Sequence, residues 1–203
     1  MRLSLFVLLL LLITLSVQAQ DKKYPDSVVA KYVAACQCVF KIHGDPNKQK
    51  DWDKTVKGIK QYDGAFRRAE KILFISYKAK TGQNAAPYLK EGELNHDEII
   101  EEKELNDGQV DSLMVLIHAN KFSGIPLKIL VFSCNQPANA ILFLDKQDQV
   151  FTAINICFKE TGFNVWVANQ KNKKNAATFG DTCFGKYDLI KSLFQSVGIK
   201  NIN

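Results

Sequence analysis

The first twenty residues constrain this chain more than any other stretch. Met1-Arg2 places a positive charge ahead of Leu5–Ile13, an unbroken apolar run, and Val17-Gln18-Ala19 follows with small residues. Charge, short apolar core and small-x-small ending describe a secretory signal peptide. Even counted from Leu3 to Val17, the run is shorter than the ~20 apolar residues of a membrane-crossing helix. The expectation is a signal peptide over 1–19, cut after Ala19, and a secreted or periplasmic domain over 20–203 with no membrane span.

Export changes what the cysteines mean. Cys36, Cys38, Cys134, Cys157 and Cys183 would reside in an oxidising compartment, where disulfides are the default. Cys36 falls on the apolar stripe of a predicted helix and Cys38 lies about 200° round it, which keeps that pair from bonding. Cys134 ends a predicted strand, Cys157 lies inside one and Cys183 precedes the last helix. These three are the disulfide candidates, and their pairing stays open.

The remaining elements follow from periodicity. Asp26 or Ser27 can cap a first helix with the stripe Val29, Tyr32, Val33, Cys36 and Phe40. After Gly44-Asp45-Pro46-Asn47, a second helix carries Trp52, Val56, Ile59 and Tyr62, and Gly64 stops it. Lys71–Lys78 is β-branched and aromatic, a strand, and Thr81–Pro87 is a loop. Glu91–Glu104, with seven acids around Ile99-Ile100, holds a strand near a sheet edge. Asn106 and Gln109 form a capping box for a helix with the stripe Val110, Leu113, Met114 and Ile117, and Gly124 lies beyond its end. Strands are predicted over Leu127–Cys134, Ala140–Leu144, Val150–Phe158 and Phe163–Ala168, with a hairpin across 145–149. In Val150–Phe158, simple alternation puts Val150, Thr152, Ile154, Ile156 and Phe158 on one face and Phe151, Ala153, Asn155 and Cys157 on the other. Tyr187, Ile190, Leu193, Phe194 and Val197 mark a final helix ended by Gly198. Hydrophobic content of 46% and charged content of 24% are globular values. The fold class is α+β: one domain, a mostly antiparallel sheet and helices packed on it.

Charge excludes one class of partner. The net charge of +6 becomes +5 once Arg2 leaves with the signal peptide, and only Arg2, Arg67 and Arg68 among 27 basic residues are arginine. Nucleic-acid readers lean on the guanidinium fork and interleaved aromatics. Lys171-Asn172-Lys173-Lys174-Asn175 has neither, and is expected to be a polar loop.

No complete catalytic or metal constellation is present, so no cofactor is expected. Cys36-Gln37-Cys38 lacks zinc-knuckle spacing. The Asp45–Asp53 stretch resembles a calcium loop until Lys50 and Val56 occupy its sixth and twelfth positions. His118, at the end of the Val110 helix, is best placed to cap that terminus; His43 and His96 sit in predicted loops or edges. The leading expectation is a non-enzymatic domain that binds a protein, a glycan or an envelope component. The alternative is a thiol enzyme with Cys134 or Cys157 as nucleophile and His118 as base.

Cys134-Asn135-Gln136-Pro137-Ala138-Asn139-Ala140-Ile141, then Phe143, Asp145 and Ile154-Asn155-Ile156-Cys157-Phe158, resembles a family of uncharacterised bacterial exported proteins. Its pattern is C-x-x-P-x-H-A-I-x-F-x-D, a short hairpin and I-x-I-C-F-x-C, and the resemblance covers roughly 104–198. It implies export and carries no activity with it. Asn139 stands where His is common, Ala138 where Arg is common and Glu160 where a second Cys follows. The departures favour a structural role for Cys134 and Cys157.

Overall fold

Lys71–Tyr77, the strand β2, is the hub of the architecture. In a computed structural model of the protein, residues 38–40, 49–79, 86–122, 136–169, 176–180 and 184–203 are described. Its other strands are β1 (Cys38–Phe40), β3 (Leu89–Lys90), β4 (Glu93–Leu94), β5 (Ile99–Glu104), β6 (Asn120–Phe122), β7 (Asn139–Leu144), β8 (Val150–Cys157) and β9 (Gly162–Val167). The helices are α1 (Gln49–Tyr62), α2 (Gly64–Arg68), α3 (Asp107–Ala119) and α4 (Phe184–Ser196). Five strands form one sheet in the order β5-β2-β7-β8-β9, and every neighbouring pair is antiparallel. The fold is α+β, as the patterning predicts.

Period-two alternation gives β2 two apolar faces. Ile72 and Phe74 join the core under the helices, with Met114, Ile117, Tyr187, Ile190 and Phe194 among its members. Leu73, Ile75 and Tyr77 face the other way, with Leu142, Ala153 and Tyr88. Phe74 and Phe194 stack at 3.9 Å between ring centroids, and Phe158 meets Phe194 edge-on at 5.5 Å. On the second face, Asn155 is the polar centre. Its Oδ1 accepts from the Tyr77 hydroxyl at 3.3 Å and the Tyr88 hydroxyl at 2.8 Å, and its Nδ2 donates to Asn164 Oδ1 at 2.7 Å. Burial pushes both tyrosine hydroxyls well above their ordinary range.

The edge strands are β5 and β9, and β5 lies inside the acidic stretch as expected. Its exposed Glu102, Lys103 and Glu104 discourage edge-to-edge pairing with another sheet. The capping box also forms: Asn106 Oδ1 accepts from Gln109 N at 3.0 Å, and Asn106 N donates to Gln109 Oε1 at 2.9 Å.

Three expectations need correction. Cys38–Phe40 is strand rather than helix: it pairs antiparallel with Asn120–Phe122, and a partner remote in sequence outweighs helical periodicity over so short a segment. Tyr62, predicted on an apolar stripe, is 91% exposed, whereas Val56 on the same stripe is buried. The chain turns at Asp63, and Ala65 and Phe66 of α2 enter the core instead. In β8, Phe143 pairs with Thr152 but Leu144 pairs with Val150, so Phe151 is an extra residue. This bulge inverts the parity of the strand's first two residues. Val150 therefore joins Ala153 and Phe151 joins Ile154, the reverse of simple alternation. The predicted strand Leu127–Cys134, the polar loop 171–175, the helix before Cys38 and the signal peptide lie outside the described residues.

After α4, Gly198 takes φ +96°. Ile199 N donates to Phe194 O at 3.0 Å and Gly198 N to Gln195 O at 3.0 Å, a Schellman ending. A Cβ on Gly198 would meet nothing closer than Lys103 Cε at 3.6 Å. The cost of Gly198→Ala is therefore backbone strain alone, about 1 kcal/mol, read as a lowered denaturant midpoint with an unchanged slope. Residues 199–203 then return to the sheet. Glu101 Oε2 accepts from Ser76 Oγ at 3.1 Å and Asn201 N at 2.8 Å, and Asn139 Nδ2 donates to Asn201 O at 2.9 Å. Asn139 is here a fully buried tether for that segment.

Candidate functional site

A polar cluster gathers at the C-terminal end of α3 around the buried carboxylate of Asp63. Asp63 links α1 to α2 and caps the second helix: its Oδ1 accepts from Ala65 N at 2.8 Å and Phe66 N at 3.2 Å. Its Oδ2 accepts from His118 Nε2 at 3.0 Å and from Thr178 Oγ1 at 2.9 Å. The Asp63 side chain is 1% exposed and that of His118 22%. An ionised carboxylate has no proton to give, so Nε2 carries the hydrogen. Burial alone would raise the Asp63 pKa. Hydrogen bonds from His118, Thr178 and Phe66 N, with the charge of His118, outweigh it and hold the carboxyl below its ordinary 3.8.

Lys186 completes the cluster from α4. It is fully buried. Its Nζ donates to Ile117 O at 2.7 Å and Phe179 O at 2.8 Å, and lies 5.2 Å from the Phe179 ring centroid. An ammonium there satisfies a carbonyl that the end of α3 leaves open and meets the negative end of its dipole. Gly180 passes so close that a Cβ would sit 2.6 Å from Ile117 O. Two chain segments and two helices thus converge on one turn of α3.

Sequence reasoning singled out only His118 here, as a terminus cap or a catalytic base. Asp63, Thr178 and Lys186 were not foreseen, because nothing local in their neighbourhoods announces a partner up to 115 positions away. The only local hint was Asp63 followed by Gly64, an N-cap pattern.

His118 is bound to Asp63 at the end of α3, whereas Cys157 ends β8. Thr152 meets the 176–180 segment, its Oγ1 accepting from Ala177 N at 3.2 Å. Cys157 lies five residues further along β8, about 16 Å at ~3.3 Å per residue. Cys157 is also disulfide-bonded, which leaves it no thiolate to attack with. Cys134 and Cys183 lie outside the described residues, as do Cys36 and His43. His96 is 73% exposed, 3.8 Å from Glu102. Among the described residues, no group of three or more His, Cys, Asp and Glu side chains is placed to hold a metal ion. No described helix is long and apolar enough to cross a membrane.

A second, solvent-facing feature lies on α1. A groove of about 520 Å³ is lined by Asp53, Val56, Lys57, Lys60, Gln61 and Arg67. Lys60 forms one wall, pairing with Asp111 of α3 at 3.3 Å. No protein-family model, curated protein or solved structure matches the chain.

Proposed function

We propose that residues 20–203 form an exported, disulfide-braced domain that acts by binding, its partner a protein, glycan or other envelope component. One observation supports binding over catalysis. The acid–histidine pair, the arrangement nearest to a catalytic dyad, is consumed in holding the fold: both Asp63 oxygens and His118 Nε2 tie α2, α3 and residues 176–180 together. Among the described residues no thiol or hydroxyl stands against the other nitrogen of His118, where a nucleophile would have to be. Cys157 pairs in this reading with Cys134 or Cys183, and non-reducing peptide mapping identifies which.

The test separates two roles for His118. Purified protein should co-sediment with isolated cell envelope, and His118→Gln should leave that retention intact at temperatures below its own melting transition. Turnover of ester, peptide or thioester substrates that disappears in His118→Gln or Cys134→Ala, with the fold retained, would replace binding by the thiol-enzyme reading.

A further inference from the structure

We propose that the open edge of β5, with the groove it borders, docks an extended basic peptide of a partner protein. This rests on the binding reading above and names its partner class. Leu105 N donates to Ile72 O at 3.0 Å, and Glu104 stands opposite Leu73 in the register. In an antiparallel ladder, residues that bond the neighbouring strand alternate with residues whose backbone groups point away from it. Leu105 and Lys103 therefore bond to β2, while Glu102 and Glu104 direct N–H and C=O to the open side. Among the described residues, nothing pairs with those outward groups.

The same two residues carry charge into a cavity. A groove of about 520 Å³, lined from β2, β4, β5, β7 and the 147–149 turn, has both in its wall and is of ligand-site size. Glu93, Glu102, Glu104 and Asp148 face it against one lysine, Lys71, which Asp148 already holds at 2.8 Å. His96 is 3.8 Å from Glu102, beyond hydrogen-bond reach. In a chain of net charge +6 the groove is locally negative, and complementary to a cationic partner. Leu73, Leu94 and Leu144 add apolar lining for the methylene stems of basic side chains.

Spacing chooses a peptide as the occupant. Glu102 and Glu104 are two residues apart on one strand, so their side chains leave the same face about 7 Å apart. A peptide strand laid beside β5 repeats that spacing and sets every second side chain opposite one of them. Lys103, between them, points to the other face and repels a basic residue there. The edge thus selects a basic residue, a neutral or acidic one, then a basic one. A free polyamine would meet the carboxylates alone and leave the outward backbone groups without partners, which an added strand satisfies. The charges that discourage pairing with another sheet make this edge selective rather than closed.

The experiment uses the full chain and a fluorescently labelled peptide with a Lys-Thr-Lys centre flanked by threonine and valine. Its comparisons are the Lys-Lys-Thr isomer, the same peptide N-methylated at both lysine amides, and spermidine. The Lys-Thr-Lys peptide should bind, and the isomer and the N-methylated peptide about tenfold more weakly. Glu102→Lys with Glu104→Lys should weaken binding about tenfold at an unchanged melting temperature, and a Glu-Thr-Glu peptide should then bind that variant. Envelope retention should fall in the same variant. Equal affinity for every cationic probe, the N-methylated peptide included, would reduce the groove to non-specific attraction and overturn the proposal. Self-association of the unaltered protein that the double variant abolishes would make a second copy the occupant, and overturns it too. No peptide binding, with envelope retention unchanged by the double variant, overturns this surface but leaves the binding reading standing. Absence of both peptide binding and envelope retention in the unaltered protein removes both.

Discussion

Replacing Asp63 with alanine is expected to cost about 3–5 kcal/mol, the loss typical of stranding the partners of a buried charged group. The side chain satisfies two backbone N–H groups at the start of α2, His118 Nε2 and Thr178 Oγ1 at once. Loss of an N-cap alone is worth about 1 kcal/mol, and donors left buried without an acceptor add about 1–3 kcal/mol each. For a chain of this size the melting temperature should fall by roughly 10 °C. A fall of only 2–3 °C would mean that the carboxylate is dispensable to the fold.

Asp63→Asn isolates the charge. The folded carboxyl sits below its ordinary 3.8, so the unfolded chain takes up this proton first as pH falls. The stabilisation is therefore fully present well above the ordinary value and drains away below it, as pH falls toward the depressed folded value. Unfolding measured from pH 6 down to pH 2.5 should show a shallower acid loss in Asp63→Asn than in the parent. Equal slopes would assign the acid sensitivity to other carboxylates, Glu101 first among them. Its pKa is also lowered, because hydrogen bonds from Asn201 N, Lys200 N and Ser76 outweigh the opposing effect of burial.

Lys186→Met should cost about 3 kcal/mol although methionine fills nearly the same volume. Removing the ammonium leaves Ile117 O and Phe179 O without this donor in a buried site, at about 1–3 kcal/mol each. Lys186→Gln keeps a donor of similar reach and should recover part of the loss. Urea midpoints of the three proteins decide it. If Met and Gln destabilise equally, hydrogen bonding to the two carbonyls is not what the lysine contributes. Both partners lie where α3 meets the 176–180 segment, so amide exchange in the last turn of α3 should accelerate most in the Met variant.

How much was legible in advance depended on the range of the interaction that decides each element. The Asn106–Gln109 box spans three residues, and it formed as read. The period-two pattern of Lys71–Tyr77 and the polar Asp145–Gln149 turn likewise carry their instructions within a few residues. Phe151 escaped because a bulge depends on register against β7, which alternation along one strand does not contain. Tyr62 escaped because helical spacing says which residues share a stripe, not where the chain turns away from the core. The polar cluster was the least legible: it joins positions 63, 118, 178 and 186, and each looks ordinary among its own neighbours.

Read alone, the sequence determined the α+β class, the acidic sheet edge, the order of most strands and helices, and the expectation of export. These rest on local propensity and periodicity, where a residue's nearest neighbours hold the information. Only the tertiary structure decided that His118 is tied to a buried carboxylate. It alone revealed Lys186 as an internal cap and left a row of lysines and Tyr62 facing solvent. Burial and hydrogen bonding between distant segments are properties of the packed chain, so desolvation set the roles of these residues after the pattern had placed them.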